Sequence, residues 1–100
     1  MTRRDGAMTI TVAGLPGNKI DRTLMNVDYA RKEYEFPIHV EWISDVYEIG
    51  ALGVIHTPSV MVNARVRSSG RIPNISEIKR WIELESVVEP IDDEPVRVTR

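Results

Sequence analysis

The chain has 100 residues, 42% of them apolar and 28% charged, with a formal net charge of -2 at pH 7. That length fits one domain and leaves no room for two, and the slightly acidic balance argues against a dedicated nucleic-acid binder. There is no cysteine, which removes disulfides, thiolate metal ligands and thiol redox chemistry together.

The opening residues, Met1 to Gly6, contain an arginine pair, Arg3-Arg4. The apolar stretch behind it, Met8 to Leu15, is broken by Thr9, Thr11 and Gly14, too weak for a signal peptide or a membrane span. The expected compartment is therefore the cytoplasm, with no membrane partner. Residues 1–7 read as an N-terminal extension.

Met8 to Ala13 alternates apolar and polar residues and predicts a first strand. Gly14-Leu15-Pro16-Gly17-Asn18 breaks it. Asn18 is the expected N-cap of the first helix, with Asp21 in the capping-box position. Ile20, Leu24, Val27, Arg31 and Tyr34 fall on one helical face, and Pro37 is expected to end that helix.

Ile38, Val40 and Trp42 alternate with His39, Glu41 and Ile43, a second strand with His39 turned to solvent. Asp45 is placed to cap a short helix through Val46, Ile49 and Leu52, closed by Gly50 or Gly53. In Val54 to Val62 a third strand begins at or just after Pro58, since proline is tolerated at a strand's first residue and not in its middle. Asn63-Ala64 then reads as a tight hairpin turn into a fourth strand, Arg65 to Ser68, closed by Gly70. Asn74 with Glu77 forms a capping box for a last helix, whose stripe is Ile75, Ile78, Trp81 or Ile82, and Glu85.

The order is β-α-β-α-β-β-α. The first two strands are expected to be parallel and the last two antiparallel, giving an α/β domain with a four-stranded mixed sheet and helices on both faces. The domain is expected over residues 8–84. Residues 83–94 hold six acids and no basic residue, and residues 85–100 read as an acidic C-terminal tail suited to docking.

The order, and with it Val54-Ile55-His56-Thr57-Pro58-Ser59-Val60-Met61-Val62-Asn63 followed by Val66-Arg67-Ser68-Ser69-Gly70-Arg71-Ile72-Pro73, resembles the small thioredoxin-like (glutaredoxin-like) redox proteins of archaea and bacteria. The resemblance spans roughly residues 8–84. It implies a thioredoxin-like fold, and it implies that the family's Cys-x-x-Cys pair would fall at Gly17 and Ile20, where this chain has no nucleophile. A thiolate is the attacking species in disulfide exchange, so the redox activity does not carry over. The Thr57-Pro58 step does carry over. In such folds this proline is cis, and the residue before it offers its backbone to an extended segment of a partner, a form of β-augmentation.

The candidate contact surface combines Leu15, Pro16, Gly17, His56, Thr57 and Pro58 with the tail, and the expected occupant is another protein. His56 beside the helix start at Asn18 suggests a second possibility, acid/base catalysis with Asp21 or Asp45 as partner. Glycines leading into a helix start beside Lys19 suggest a weak anion site, but the phosphate-loop spacing is absent. Arg65, Arg67, Arg71, Lys79 and Arg80 form a possible basic patch, able to receive the acidic tail or an acidic partner. No aromatic interleaving supports nucleic acid, and no metal-ligand spacing or cofactor motif is present. The expectation is a non-redox, non-enzymatic binding module, an accessory, assembly or small structural subunit of a larger complex, with a small enzyme or a homodimeric structural protein as alternatives.

Overall fold

The computed structural model describes residues 8–54 and 56–88. The expected N-terminal extension, Ile55, and residues 89–100 of the expected tail lie outside the described residues. Seven elements follow in chain order: β1 (Met8–Ala13), α1 (Asn18–Arg31), β2 (Ile38–Ile43), α2 (Val46–Ala51), β3 (Ser59–Val62), β4 (Arg65–Ser69) and α3 (Ile75–Val88). The strands form one sheet in the order β2-β1-β3-β4. β1 and β2 are parallel, while β3 runs antiparallel to both β1 and β4. This is the thioredoxin-like arrangement that the element order implies.

Alternation along β1 sets the layers. Ile10 and Val12 are fully buried, Thr9 and Thr11 only partly, because successive side chains leave a strand on opposite faces. Ile10 pairs with Val62 and Val12 with Val60, so the buried face continues onto β3. Onto it pack Ile20, Val27 and Ala30 of α1 and Ile78, Trp81 and Ile82 of α3, all in one apolar cluster. Of the helices expected on the two faces, α1 and α3 lie side by side over this core; α2 buries no residue.

The last helix starts as its sequence dictates. The Asn74 side chain accepts from the Glu77 N–H at 2.8 Å, and the Glu77 carboxylate accepts from the Asn74 N–H at 3.0 Å, a reciprocal capping box. The hairpin turn is equally local: Asn63 and Ala64 take φ of 50° and 73°, the two left-handed residues that a tight hairpin requires.

Three expectations change. Asn18 is not the N-cap of α1: Gly17 is, with no side-chain cap bond, because Asn18 already has helical backbone and cannot reach forward as a cap does. α1 ends at Arg31 rather than running on towards Pro37. Turns closed by the N–H groups of Glu33 and Tyr34 onto Ala30 and Arg31 fold Tyr34 and Phe36 back on the core, their rings 5.6 Å apart. At the other end, α3 continues through Val88, four residues past the expected domain boundary at 84. Glu85 belongs to the folded domain, since its carboxylate accepts from Arg67 Nη2 at 2.9 Å.

Candidate functional site

The C-terminal end of β1 delivers the chain to Gly14, which is tied on both sides. Its N–H donates to the Ile43 carbonyl at 3.0 Å, and its carbonyl accepts from Trp42 Nε1 at 2.9 Å. A side chain at Gly14 would displace Ile20: an added Cβ would collide with Ile20 Cδ1 and sit 3.4 Å from Thr57 Cβ. This close approach of β1, the first turn of α1 and the segment before β3 makes the site. Past Gly14, Leu15 and Gly17 are exposed, Leu15 at 53%.

Across from them the Thr57–Pro58 peptide is cis. Thr57 is exposed and Pro58 buried. The Pro58 carbonyl accepts from the Gly70 N–H at 2.9 Å, which fastens this segment to the end of β4. Among the described residues the backbone N–H and C=O of Thr57 meet no hydrogen-bond partner.

An open, mainly apolar groove of about 320 Å³ lies between the two segments, lined by Leu15, Gly17, Ile20, Thr57 and Pro58, with Asn18 and Lys19 at its side. A second furrow, lined by Asp21, Arg22 and Ile72, shares Asn18 and Lys19 with it.

The structure thus brings together Leu15, Gly17, Thr57 and Pro58 of the expected contact surface. Pro16 and His56 are not in the groove lining. The His56 backbone turns its carbonyl inward, where the Ser59 and Ser69 hydroxyls donate to it, and its Cβ packs on Gly70. Asp45, one suggested partner for His56, is engaged elsewhere: its carboxylate accepts from the Glu48 N–H at 3.0 Å and caps α2. Asp21, the other, lies in the second furrow. Sequence reasoning gave no role to Trp42, whose indole pins Gly14 from a strand 28 residues away; no local pattern marks such a bond.

The five basic residues are mostly paired within the fold. Arg65 and Arg67 share Glu85, at 3.7 and 2.9 Å, Arg71 forks onto both Glu77 oxygens at 2.9 Å, and Lys79 meets Glu33 at 2.7 Å. Arg80 is exposed. The Glu77 contact raises the Arg71 pKa, and in return Arg71, helped by the Asn74 N–H, holds Glu77 below the usual carboxylate range. Glu33 likewise raises Lys79. The patch is largely a set of internal ion pairs, and one of its anions, Glu85, comes from the segment expected to act as a tail. Among the described residues no group of His, Asp and Glu could hold a metal ion, and no helix is long and apolar enough to cross a membrane.

The family model of the thioredoxin domain matches residues 8–83. No curated protein and no solved structure matches the chain.

Proposed function

The chain belongs to the thioredoxin domain family yet has no cysteine, and we propose that it serves in the cytoplasm as a non-redox protein-binding module, an accessory, assembly or small structural subunit of a larger complex. The loss of thiol chemistry follows from composition alone, because no other side chain supplies the thiolate that attacks a disulfide.

The observation that carries the binding reading is the groove beside Thr57. One wall is apolar, from Leu15, Ile20 and Pro58, and the rim carries a backbone N–H and C=O with no partner among the described residues. An extended peptide needs both. Its main chain pairs with the open backbone, and an apolar side chain enters the adjoining hollow. The acid/base alternative draws less from the geometry, since the Asp45 carboxylate is held by the α2 cap and His56 is not in the lining of the groove.

The test is affinity capture from lysate of the source organism with the full chain, beside a Thr57→Arg variant. Thr57 is exposed, so the arginine leaves the fold intact while covering the groove with a long cationic side chain. The expected result is a stoichiometric protein partner on the full chain that is lost from the variant. A partner held equally by both places the contact elsewhere and overturns the groove as the binding surface.

A further inference from the structure

The two edges of the sheet are built differently. β4 is five residues long, its ladder with β3 is irregular between Val60 and Met61, and it carries Arg65 and Arg67. A bulge and cationic side chains are features that keep an edge from pairing. β2 has none of them. It runs for six residues in unbroken register with β1, from Met8–Ile38 to Ala13–Ile43, without proline, glycine, lysine or arginine. Its outer edge has no neighbouring strand among the described residues.

The two faces of β2 differ in chemistry. Ile38, Val40 and Trp42 pair with Met8, Ile10 and Val12 and so continue the face that carries α1 and α3. Ile38 and Val40 pack on the core, while Trp42 remains 42% exposed. His39 and Glu41 pair with Thr9 and Thr11 on the opposite face; Thr11 Oγ1 donates to Glu41 Oε1 at 3.4 Å. Both His39 and Glu41 are exposed.

We propose that β2 is a homodimer interface, pairing antiparallel with β2 of a second copy about a two-fold axis that passes between the two Val40 residues, perpendicular to the sheet. Such an axis keeps each face on its own side and makes the contact self-complementary. On the helix-bearing face, Val40 meets Val40 of the second copy, and Ile38 meets its Trp42, which covers the exposed indole. On the other face His39 meets Glu41 of the second copy, and this happens twice. An imidazole donates through a ring N–H whether neutral or charged, and its acceptor is a carboxylate.

The register is specified by charge. Moving the axis by one residue either sets Glu41 against Glu41, like charges that are destabilising directly opposite each other, or sets His39 against His39 and leaves both Glu41 carboxylates without the imidazole donor. The other edge has no such complement: β4 holds no acidic residue, and pairing two β4 strands about Val66 or about Arg67 sets guanidinium against guanidinium. The chemistry of β2 therefore fits a second copy of itself.

Sedimentation equilibrium of the full chain, from micromolar to millimolar concentration, tests this with His39→Glu and with the double variant His39→Glu, Glu41→Lys. The unaltered chain is expected to show a reversible monomer–dimer equilibrium. His39→Glu sets carboxylate against carboxylate at two places and weakens the dimer by on the order of tenfold or more. The double variant restores opposite charges in the same register and recovers most of that loss. Unfolding midpoints measured at low concentration check that the exposed substitutions leave the monomer folded.

A mass that stays monomeric at the highest concentration overturns the proposal, as does a dimer unaffected by His39→Glu or one that the double variant fails to restore. The groove is not involved: Thr57→Arg leaves this equilibrium unchanged, so the two readings fail separately.

Discussion

Gly14 and Ile20 form the tightest point of the site, and their coupling can be measured. A methyl group at position 14 would collide with Ile20 Cδ1 and lie 3.1 Å from Ile20 Cγ1. Ile20 is 3% exposed and sealed into the core, so it has little room to rotate away. Forcing a methyl into a filled core costs about 1–3 kcal/mol. Replacing glycine by alanine also lowers the entropy of the unfolded chain, which offsets about 0.4–1 kcal/mol. Gly14→Ala is therefore expected to destabilise the domain by about 1–2 kcal/mol, a fall in Tm on the order of 5–10 °C for a domain of this size. Ile20→Val alone removes the colliding Cδ1 and costs about 0.5–1.5 kcal/mol as a cavity. In the double variant the new methyl occupies the space that Cδ1 vacated, so the total falls short of the sum by about 1 kcal/mol, a coupling typical of residues in contact. Urea unfolding of the four proteins, followed by tryptophan fluorescence, gives the cycle. If the two costs simply add, the contact does not limit the site and the packing argument is wrong.

Asn74→Ala removes the side-chain acceptor for the Glu77 N–H at the start of α3 and is expected to cost about 1 kcal/mol in chemical denaturation; an unchanged midpoint would show that the Arg71–Glu77 fork alone holds this helix start. Ala64 sits at φ 73°, where an L-residue with a Cβ is disfavoured, so Ala64→Gly should stabilise by about 0.5–1 kcal/mol after the entropy of glycine is counted. A loss of stability there would contradict the two-residue turn. For Tyr34, burial, then its hydrogen bond to Glu83 and the charges of Glu83 and Glu33, push the phenol up to about 12 from the ordinary 10.0. A raised folded pKa means stability that is complete below pH 10 and lost as pH rises towards 12. Tyr34→Phe should therefore make the alkaline fall in stability across that window shallower, and an unchanged slope would remove Tyr34 as its source.

What the sequence shows clearly is what neighbouring residues settle among themselves. Alternation alone places β1 and β2, the Asn63-Ala64 turn falls between two strand runs, and the Asn74–Glu77 pair is reciprocated as its spacing requires. The misplaced cap at Asn18 and the early end of α1 have one cause. Several residues near each helix end can satisfy its rules, and tertiary packing picks among them. Tyr34 leaves the helix because its hydroxyl reaches Lys79 O and Glu83 on α3, a contact that no helical stripe encodes. The basic patch is similar. Arg65, Arg67, Arg71 and Lys79 stand out as a cluster of cations, but the acids that pair with them arrive from the turn after α1 (Glu33), from the start of α3 (Glu77), and in Glu85 from beyond the expected boundary. In the site, the Leu15, Gly17, Thr57 and Pro58 grouping follows from the implied fold, whereas the turning of His56 towards Ser69 and Gly70 depends on hydrogen bonds made by its backbone.

The resemblance to redox relatives sets Gly17 and Ile20 where the two thiols would stand, and the structure treats these positions in opposite ways. Ile20 is 3% exposed and joins the core cluster; a buried apolar side chain in the first turn of α1 ties that turn to β1 and contributes about 1.5–3 kcal/mol relative to exposure. Gly17 has open space where a side chain would be and keeps its backbone extended at the helix start. One position closes the core and the other leaves a hollow beside Thr57. Here the inner position is filled with hydrocarbon and the outer one is left vacant, beside a groove lined by Leu15, Ile20, Thr57 and Pro58, in a chain that has no thiol to oxidise a dithiol.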